Sequence, residues 1–200
     1  DLFDSMVKGF PVGYLLFWAT GADNGVRQIG TDAKDEKVAR WLIVDGQQRL
    51  TSLYSVLTGT PVVREDYTAS RIRIAFRPHD CTFAVTDIAI EKDPEFLADI
   101  TPLFDDYKAT VRGYLERLES ARGDLEQTAR DRLDDQFDRV RDIGSYPFQV
   151  IELDAAMDEE QVADVFVRIN SEGVPLNQAD FILTLTSVFR DKARRQLEDF

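Results

Sequence analysis

The spacing of apolar and polar residues along the chain predicts an alternation of short strands and longer helices. Leu2, Met6 and Phe10 recur every four residues and indicate an opening amphipathic helix. Because Asp1 already lies within this helical pattern, we expect the chain to be a piece of a longer protein. Short apolar runs bounded by turn residues predict strands at residues 14–18, 41–44, 71–76, 82–85 and 147–153.

A helix is predicted immediately after Gly46, where the apolar period changes from that of a strand to that of a helix. The stop signal for this helix is the run Gly59-Thr60-Pro61. Its apolar face is expected to consist of Leu50, Leu53, Tyr54 and Leu57.

Further helices are predicted in the second half of the chain. Apolar residues recur at helical multiples between residues 107 and 143, and Gly123 divides this stretch because an interior glycine costs about 1 kcal/mol relative to alanine. Asp158 is placed to cap a helix that continues to about residue 169. The remaining predictions are a final helix from about residue 177 past residue 189, an exposed loop over 21–37 and a hairpin turn at 77–80.

The order of these elements predicts an α+β fold without internal repeats. Residues 1–100 are expected to form the α+β core. Residues 101–200 are expected to form a helical region with one returning strand at about 147–153. The alternative is one continuous domain without a boundary near residue 100.

The composition excludes some classes of protein. The net charge of -13 disfavours a surface that neutralises many DNA phosphates, although a local basic cleft remains compatible with it. No apolar run approaches the roughly 20 residues that cross a bilayer, so a membrane-spanning protein is excluded. Cys81 is the only cysteine, which excludes an internal disulfide and a multi-thiolate metal site. With a single cysteine, a reducing cytoplasm suits the chain best, so we expect a cytoplasmic protein.

The candidate chemistry lies where the second predicted strand turns into a helix. The backbone N–H groups at a helix N-terminus are unpaired, and the helix dipole places about half a positive charge there, which favours a phosphate. Gly46 permits close backbone approach. Gln47 and Gln48 add amide donors, and Arg49 adds a guanidinium suited to bidentate phosphate binding. The alternative is that Asp45 caps the helix and the next residues form an ordinary solvated first turn.

The sequence at residues 43–53, IVDGQQRLTSL, resembles the DGQQR signature of the GmrS/GmrD restriction endonuclease N-terminal domain family. The GFPVG sequence at residues 9–13 is similar to the glycine and proline element that precedes the first core strand of the family. The FVRINSEGVPL sequence at residues 166–176 resembles the second signature of the family, F-x-R-x-N-x-x-G-x-x-L. The three elements follow the family order.

The resemblance implies a small mixed sheet with packed helices, similar to the core of ParB and sulfiredoxin, whose strand-to-helix turn handles nucleotide phosphates. It also implies nucleotide binding or hydrolysis coupled to DNA restriction, with DNA cut by a separate HNH-type nuclease domain or subunit. Such a nuclease needs several His and Asn or Asp metal ligands. Since His79 is the only histidine, we expect that this chain is not a nuclease by itself.

The chemistry of the side chains suggests hypothetical roles within the DGQQR segment. If hydrolysis occurs, Arg49 stabilises phosphate charge and Asp45 holds Mg²⁺ directly or through water, while a glutamine orients the attacking water. The expected cofactor is Mg²⁺ with a nucleoside triphosphate, and the absence of a Walker A sequence excludes a P-loop NTPase. The predicted catalytic residues are Asp45, Gln47, Gln48 and Arg49, and the predicted phosphate-binding residues there are Gly46 and Thr51.

The second signature predicts a shaped loop between two helices. Gly173 allows a positive φ, and Pro175 prevents the helix from resuming at once. Arg168, Asn170 and Gly173 are predicted to contact a phosphate or a base edge. The alternative is that Arg168 and Asn170 satisfy the carbonyl groups at the end of their own helix.

Three other groups of polar residues do not predict a ligand site. His79 and Cys81 lie in the predicted hairpin turn, and two ligands without partners do not make a metal site. The aspartates between residues 131 and 138 alternate with arginines, which is typical of a solvated helix face. Asp105 and Asp106 indicate a helix start.

Three functions are compatible with these features. The first is a nucleotide-binding, NTP-hydrolysing sensor or regulatory domain of a restriction or anti-phage defence protein, which meets DNA through the full-length protein. The second is a ParB-like module that binds DNA or a modified base and hydrolyses nothing. The third is a scaffold that forms a homo-oligomer or binds partner proteins, as the acidic charge and long helices also permit.

Overall fold

The computed structural model describes residues 1–19, 40–63 and 69–170. These residues form a mixture of helices and small sheets, which confirms the predicted α+β class. The final helix predicted from about residue 177 and the loop predicted at 21–37 lie outside the described residues. The described α-helices are α1 (Leu2–Val7), α2 (Gln47–Thr58), α3 (Ile88–Lys92), α4 (Tyr107–Arg122), α5 (Gln127–Arg141) and α6 (Glu159–Asn170).

The described strands include all those predicted and one additional short pair. The strand predicted from residue 71 begins three residues later, and the strand predicted from residue 147 begins two residues later. The sequence of the additional pair, β3 with β4, does not alternate between apolar and polar residues, so it did not predict these strands. The strands are β1 (Tyr14–Ala19), β2 (Trp41–Asp45), β3 (Val62–Val63), β4 (Ala69–Ser70), β5 (Ile74–Arg77), β6 (Thr82–Val85) and β7 (Gln149–Leu153).

The chain divides into two compact units that interleave along the sequence. Among the described residues, the first unit contains 1–13, 47–63 and 69–149, and the second contains 14–19, 40–46 and 150–170. Each unit therefore draws residues from both sides of position 100. The domain boundary near residue 100 stays a prediction.

The first unit is built around a cluster of aromatic side chains. Phe137 of α5 is fully buried and packs edge-on against the rings of Phe76 and Tyr114, at centroid distances of 5.9 and 5.0 Å. Phe83 packs against Phe76 at 4.8 Å and joins the hairpin to this cluster. Offset and edge-on aromatic contacts add to the free energy of burial, so this cluster is the centre of the hydrophobic core. Burial raises the pKa of the Tyr114 hydroxyl to about 12.

The long helical stretch divides where the sequence predicted. Gly123 follows α4 with a φ of +90°, a backbone conformation that glycine adopts without steric cost, and α5 begins at Gln127. At the start of α4, the carboxylate of Asp106 accepts a hydrogen bond from the Ala109 N–H at 3.1 Å. This N-cap confirms the predicted helix start.

The predicted hairpin is also confirmed. Strands β5 and β6 pair antiparallel, with Ile74 opposite Val85 and Arg77 opposite Thr82, so the turn consists of residues 78–81 rather than 77–80. Hydrogen bonds from the Arg77 guanidinium hold the pKa of the Asp80 carboxyl below its usual range. Within the described ranges, no group of three or more His, Cys, Asp or Glu side chains is placed to hold a metal ion.

The second unit packs α6 against a three-stranded sheet with the order β2-β1-β7. Its core combines Leu16 and Trp18 of β1 with Leu153 of β7 and with Val162 and Phe166 of α6. The Trp18 indole N–H donates to a backbone carbonyl just beyond β7 at 3.2 Å, which satisfies its polar atom within the buried sheet.

A reciprocal cap begins α6. The Asp158 carboxylate accepts from the Gln161 N–H at 2.8 Å, and the Gln161 side chain accepts from the Asp158 N–H at 3.1 Å. These two bonds satisfy N–H groups that the helix leaves unpaired. The predicted capping role of Asp158 is therefore confirmed.

Two details of the predicted helices were wrong. Phe10 is not part of the opening helix, because α1 ends at Val7 and Gly9 takes a φ of +70°. The N–H groups of Gly9 and Phe10 then bond back to the carbonyls of Met6 and Ser5, a glycine-terminated helix end that leaves Phe10 57% exposed.

The second wrong prediction is that Tyr54 belongs to the apolar face of α2. Tyr54 is exposed, whereas Leu53 and Val56 are buried and Leu57 packs partly against the same core. The apolar face of α2 is therefore rotated toward Val56 and away from Tyr54. In the described part of the chain, no helix is long and apolar enough to cross a membrane.

Replacing the central aromatic ring should strongly destabilise the first unit. We expect Phe137→Ala to lower the free energy of unfolding by about 3–5 kcal/mol, because it removes a fully buried ring and leaves a cavity. Phe10→Ala is the matched control, and we expect it to change this free energy by less than about 1 kcal/mol because the ring is exposed. Urea unfolding followed by circular dichroism measures both, and equal losses would contradict the assigned core.

Cys81 should behave as a protected thiol. It packs partly against the core of the first unit, and burial raises the pKa of its thiol above the ordinary value. Because the thiolate is the reacting species, we expect the native protein to react with a disulfide reagent more slowly than the urea-unfolded chain at the same mildly alkaline pH. An equal rate in both states would show that the side chain is accessible and unperturbed.

Candidate functional site

The turn between β2 and α2 contains a single residue. β2 ends at Asp45, α2 begins at Gln47, and Gly46 between them has a φ of +93°. This left-handed conformation costs an ordinary residue about 1–3 kcal/mol and glycine little. The strand-to-helix turn predicted from the DGQQR sequence is therefore present, with the glycine at the position that needs it.

A β-bulge precedes this turn. Leu16 of β1 lies opposite Asp45, but its neighbour Phe17 lies opposite Ile43, so β2 has one additional residue, Val44, at this point. Bulges bend a strand and change the direction of the side chains that follow. The irregularity is confined to the last part of β2, immediately before Asp45.

The first turn of α2 displays amide groups to solvent and carries a guanidinium group. Gln47 and Gln48 are exposed, Arg49 is half-buried, and no acidic residue occupies this turn. Carboxylates are the groups that stabilise a helix N-terminus, and α6 has Glu159 and Glu160 there. The composition of the first turn of α2 is thus suited to an anion from outside the helix.

Arg49 is held by the N-terminal segment of the chain. Its Nη1 donates to the backbone carbonyl of Val12 at 2.5 Å, across 37 residues of sequence. Arginine is an unfavourable residue at the positive end of a helix dipole, and a carbonyl acceptor reduces this cost. The guanidinium therefore has a defined direction within the first unit.

The far end of α2 is anchored through a buried hydroxyl. Ser55 is fully buried, and its Oγ donates to the Thr60 carbonyl at 2.8 Å and accepts from the Ile72 N–H at 3.3 Å. Together with Leu53 and Val56 in the core, these bonds fix the helix in the first unit. A rigid helix keeps its N-terminal groups in place, as a binding site requires. Thr51, predicted to bind phosphate, lies half-buried in the second turn of the described helix.

Residues of the second signature lie at the end of α6. The Asn170 side chain donates to the Phe166 carbonyl at 2.9 Å and accepts from the Tyr14 hydroxyl at 3.2 Å. Arg168 is 78% exposed at its side chain and forms an ion pair with Asp164 at 2.8 Å. The bond from Asn170 to its own helix supports the structural alternative for this residue, while its phosphate-binding role stays a prediction. Gly173 lies outside the described residues.

The predicted site residues are distributed over both compact units. Gln47, Gln48 and Arg49, with Thr51, belong to the first unit. The second unit contains Asp45, Gly46, Arg168 and Asn170. The chain passes from the second unit to the first at the bond between Gly46 and Gln47, so the DGQQR segment is brought together by sequence continuity.

Sequence reasoning missed two residues next to these positions. Val12 accepts the hydrogen bond from Arg49, and Tyr14 donates to Asn170. Both lie in or next to the GFPVG segment at residues 9–13. The signal was the segment itself, whose resemblance to a family element was noted without a physical role for it.

A groove of about 460 Å³ between α4 and α5 is a separate feature of the first unit. The Asp134 carboxylate lines it with one buried oxygen that has no hydrogen-bond partner among the described residues, and burial raises the pKa of this carboxyl. Tyr107 donates to Asp138 at 2.7 Å, and burial raises the pKa of its hydroxyl. The Arg130–Glu119 ion pair lines the same groove. The groove therefore contains both positive and negative groups, which do not define one class of ligand.

Comparison with known proteins identifies the family of the chain. The family model described as the GmrSD restriction endonuclease, N-terminal domain, matches residues 1–186. Among curated proteins, none matches the chain. Because the family match extends over most of the sequence and includes all three of the elements noted above, the chain belongs to the family of GmrSD restriction endonuclease N-terminal domains.

Proposed function

We propose that this chain is a nucleotide-binding sensor or regulatory domain of a restriction system, in which the N-terminal turn of α2 binds the phosphates of a nucleoside triphosphate. Family membership supplies the restriction context. The nuclease that cuts DNA is expected in a separate domain or subunit, because an HNH-type centre needs more histidines than His79 alone.

The observation on which the proposal chiefly depends is the first turn of α2. Its N–H groups follow a left-handed glycine, and the turn has two exposed glutamines, a positioned arginine and no carboxylate. Backbone N–H groups and the positive end of the helix dipole favour a phosphate. Arg49 adds a fixed positive charge and a planar set of donors.

The roles of the side chains follow from their chemistry. Arg49 binds a phosphate oxygen and stabilises the charge that develops there during hydrolysis. Gln47 and Gln48 donate amide hydrogen bonds to phosphate oxygens, and one of them orients the attacking water. The Thr51 hydroxyl is one turn further along α2 and supplies a weaker donor.

Magnesium is compatible with this set of residues. Mg²⁺ is commonly bound through one or two carboxylates together with phosphates and water, so it does not require a protein cage of several acidic side chains. Such a cage does not occur among the described residues. Asp45, next to Gly46 in the sequence, is the carboxylate that would bind it, and the bound ion would offset phosphate charge.

Removing the arginine should weaken nucleotide binding. We expect Arg49→Ala to reduce affinity for the bound triphosphate about tenfold to hundredfold, since a hydrogen bond to a charged group contributes about 1.5–3 kcal/mol. Calorimetric titration of the full chain with each of the four ribonucleoside triphosphates and Mg²⁺ measures this loss. Arg132→Ala, an exposed arginine of α5 in the same unit, is the matched control and should leave affinity unchanged.

The same titration can contradict the proposal in two ways. Wild-type protein that binds none of the triphosphates would exclude a nucleotide sensor. A folded Arg49→Ala protein with wild-type affinity would exclude the α2 turn as the site. Binding of duplex DNA without nucleotide binding, weakening as salt rises, would instead favour the ParB-like alternative.

The role of Asp45 can be separated from that of Arg49. If Asp45 binds Mg²⁺, Asp45→Asn should remove most of the affinity that Mg²⁺ adds and leave binding in the presence of a chelator unchanged. Titrations of wild type and variant with and without the metal measure this difference. An equal loss of affinity in both conditions would assign Asp45 to the turn rather than to the metal.

A further inference from the structure

We infer that Gly13 is a positioning residue that directs the Arg49 guanidinium toward phosphate, an inference that rests on the proposed function. Gly13 ends the GFPVG segment and lies in the same compact unit as Arg49. Neither family membership nor the DGQQR sequence assigns it a role.

The segment from Val7 to Gly13 is fixed at its backbone. Its carbonyl groups accept hydrogen bonds from three side chains: from Arg139 to Val7 at 3.1 Å, from Tyr146 to Phe10 at 2.9 Å, and from Arg49 to Val12 at 2.5 Å. Two of these donors lie in or just beyond α5, and Val12 also packs partly against the core. The acceptor that Arg49 uses is therefore anchored to the rest of the first unit.

The guanidinium occupies the space where a side chain on Gly13 would begin. A Cβ atom there would overlap Arg49 Nη1 and lie 3.4 Å from Cζ. The displaced group is the end of a flexible side chain, so an alanine would move Arg49 rather than the backbone. Arg49 would then lose its bond to Val12 and its defined direction.

Loss of direction matters for a charged ligand. A guanidinium that is already oriented loses less conformational entropy when it binds a phosphate, and its planar donors meet the ligand in one geometry. A displaced arginine keeps its charge but not this geometry. Gly13→Ala should therefore resemble Arg49→Ala in binding although the arginine is still present.

Backbone conformation must be separated from this steric effect. Gly13 has a φ of +82°, which any L-residue adopts at some cost. Gly9 provides the matched control, because its φ is +70° in the same segment but no atom of the described residues lies within 4 Å of its Cβ position. Alanine at Gly9 meets a similar backbone cost and displaces no neighbour in the described part of the chain.

The test is a double-mutant cycle on the full chain, with the Mg²⁺-bound ribonucleoside triphosphate that wild type binds most tightly as the probe. We expect Gly13→Ala to weaken binding about tenfold to hundredfold and to add nothing in the Arg49→Ala background. Gly9→Ala should stay within about twofold of wild type. Thermal unfolding of the same variants should show a smaller effect of Gly13→Ala when Arg49 is absent.

The outcomes distinguish the inference from the proposed function. The positioning role is overturned if Gly13→Ala and Gly9→Ala weaken nucleotide binding equally. It is also overturned if Gly13→Ala weakens binding as much in the Arg49→Ala background as in the wild type. In both cases nucleotide binding by the wild type still supports the site. A wild-type chain that binds no triphosphate overturns the proposed function itself. If the Gly13→Ala protein does not fold but the Gly13→Ala/Arg49→Ala protein does, the contact between the two residues is confirmed. Wild-type affinity of the Arg49→Ala protein would then overturn the role of this contact in binding.

Discussion

The left-handed backbone at Gly46 is the constraint on which the candidate site depends. With a φ of +93°, this residue allows β2 to end at Asp45 and α2 to begin at Gln47 without further loop residues. Residues other than glycine meet a steric cost of about 1–3 kcal/mol in this region. The exposed first turn of α2, and with it the placement of Arg49 three residues later, follows from this local geometry.

The electrostatics of that first turn depend on what lies beside it. A positive side chain at a helix N-terminus is opposed by the dipole, at a cost of about 0.3–1 kcal/mol when exposed. In this chain the carbonyl of Val12 accepts from Arg49, which offsets part of that cost. A phosphate would be attracted by both the N–H groups and the guanidinium, so it would make the helix terminus and the arginine mutually compatible.

The sequence predicted the local features of this fold better than the distant contacts. The caps at Asp106 and Asp158, the break at Gly123 and the turn at Gly46 each depend on a few adjacent residues, and all were confirmed. The placement of Phe10 in the opening helix was wrong because this short helix ends at a glycine before the apolar period reaches Phe10. The bond from Arg49 to Val12 joins residues far apart in sequence, and no local pattern specifies which carbonyl a first-turn arginine will reach.

The acidic charge of the chain bears on what kind of phosphate the site can bind. DNA affinity depends on many cationic contacts, each releasing counterions, and a net charge of -13 opposes the approach of a polyanion. A single nucleotide needs only one local cluster of donors, and bound Mg²⁺ reduces its charge further. Helix N–H groups also bind phosphate without adding to net charge. A first turn that combines these groups with one positioned arginine therefore suits the proposed nucleotide ligand better than a duplex.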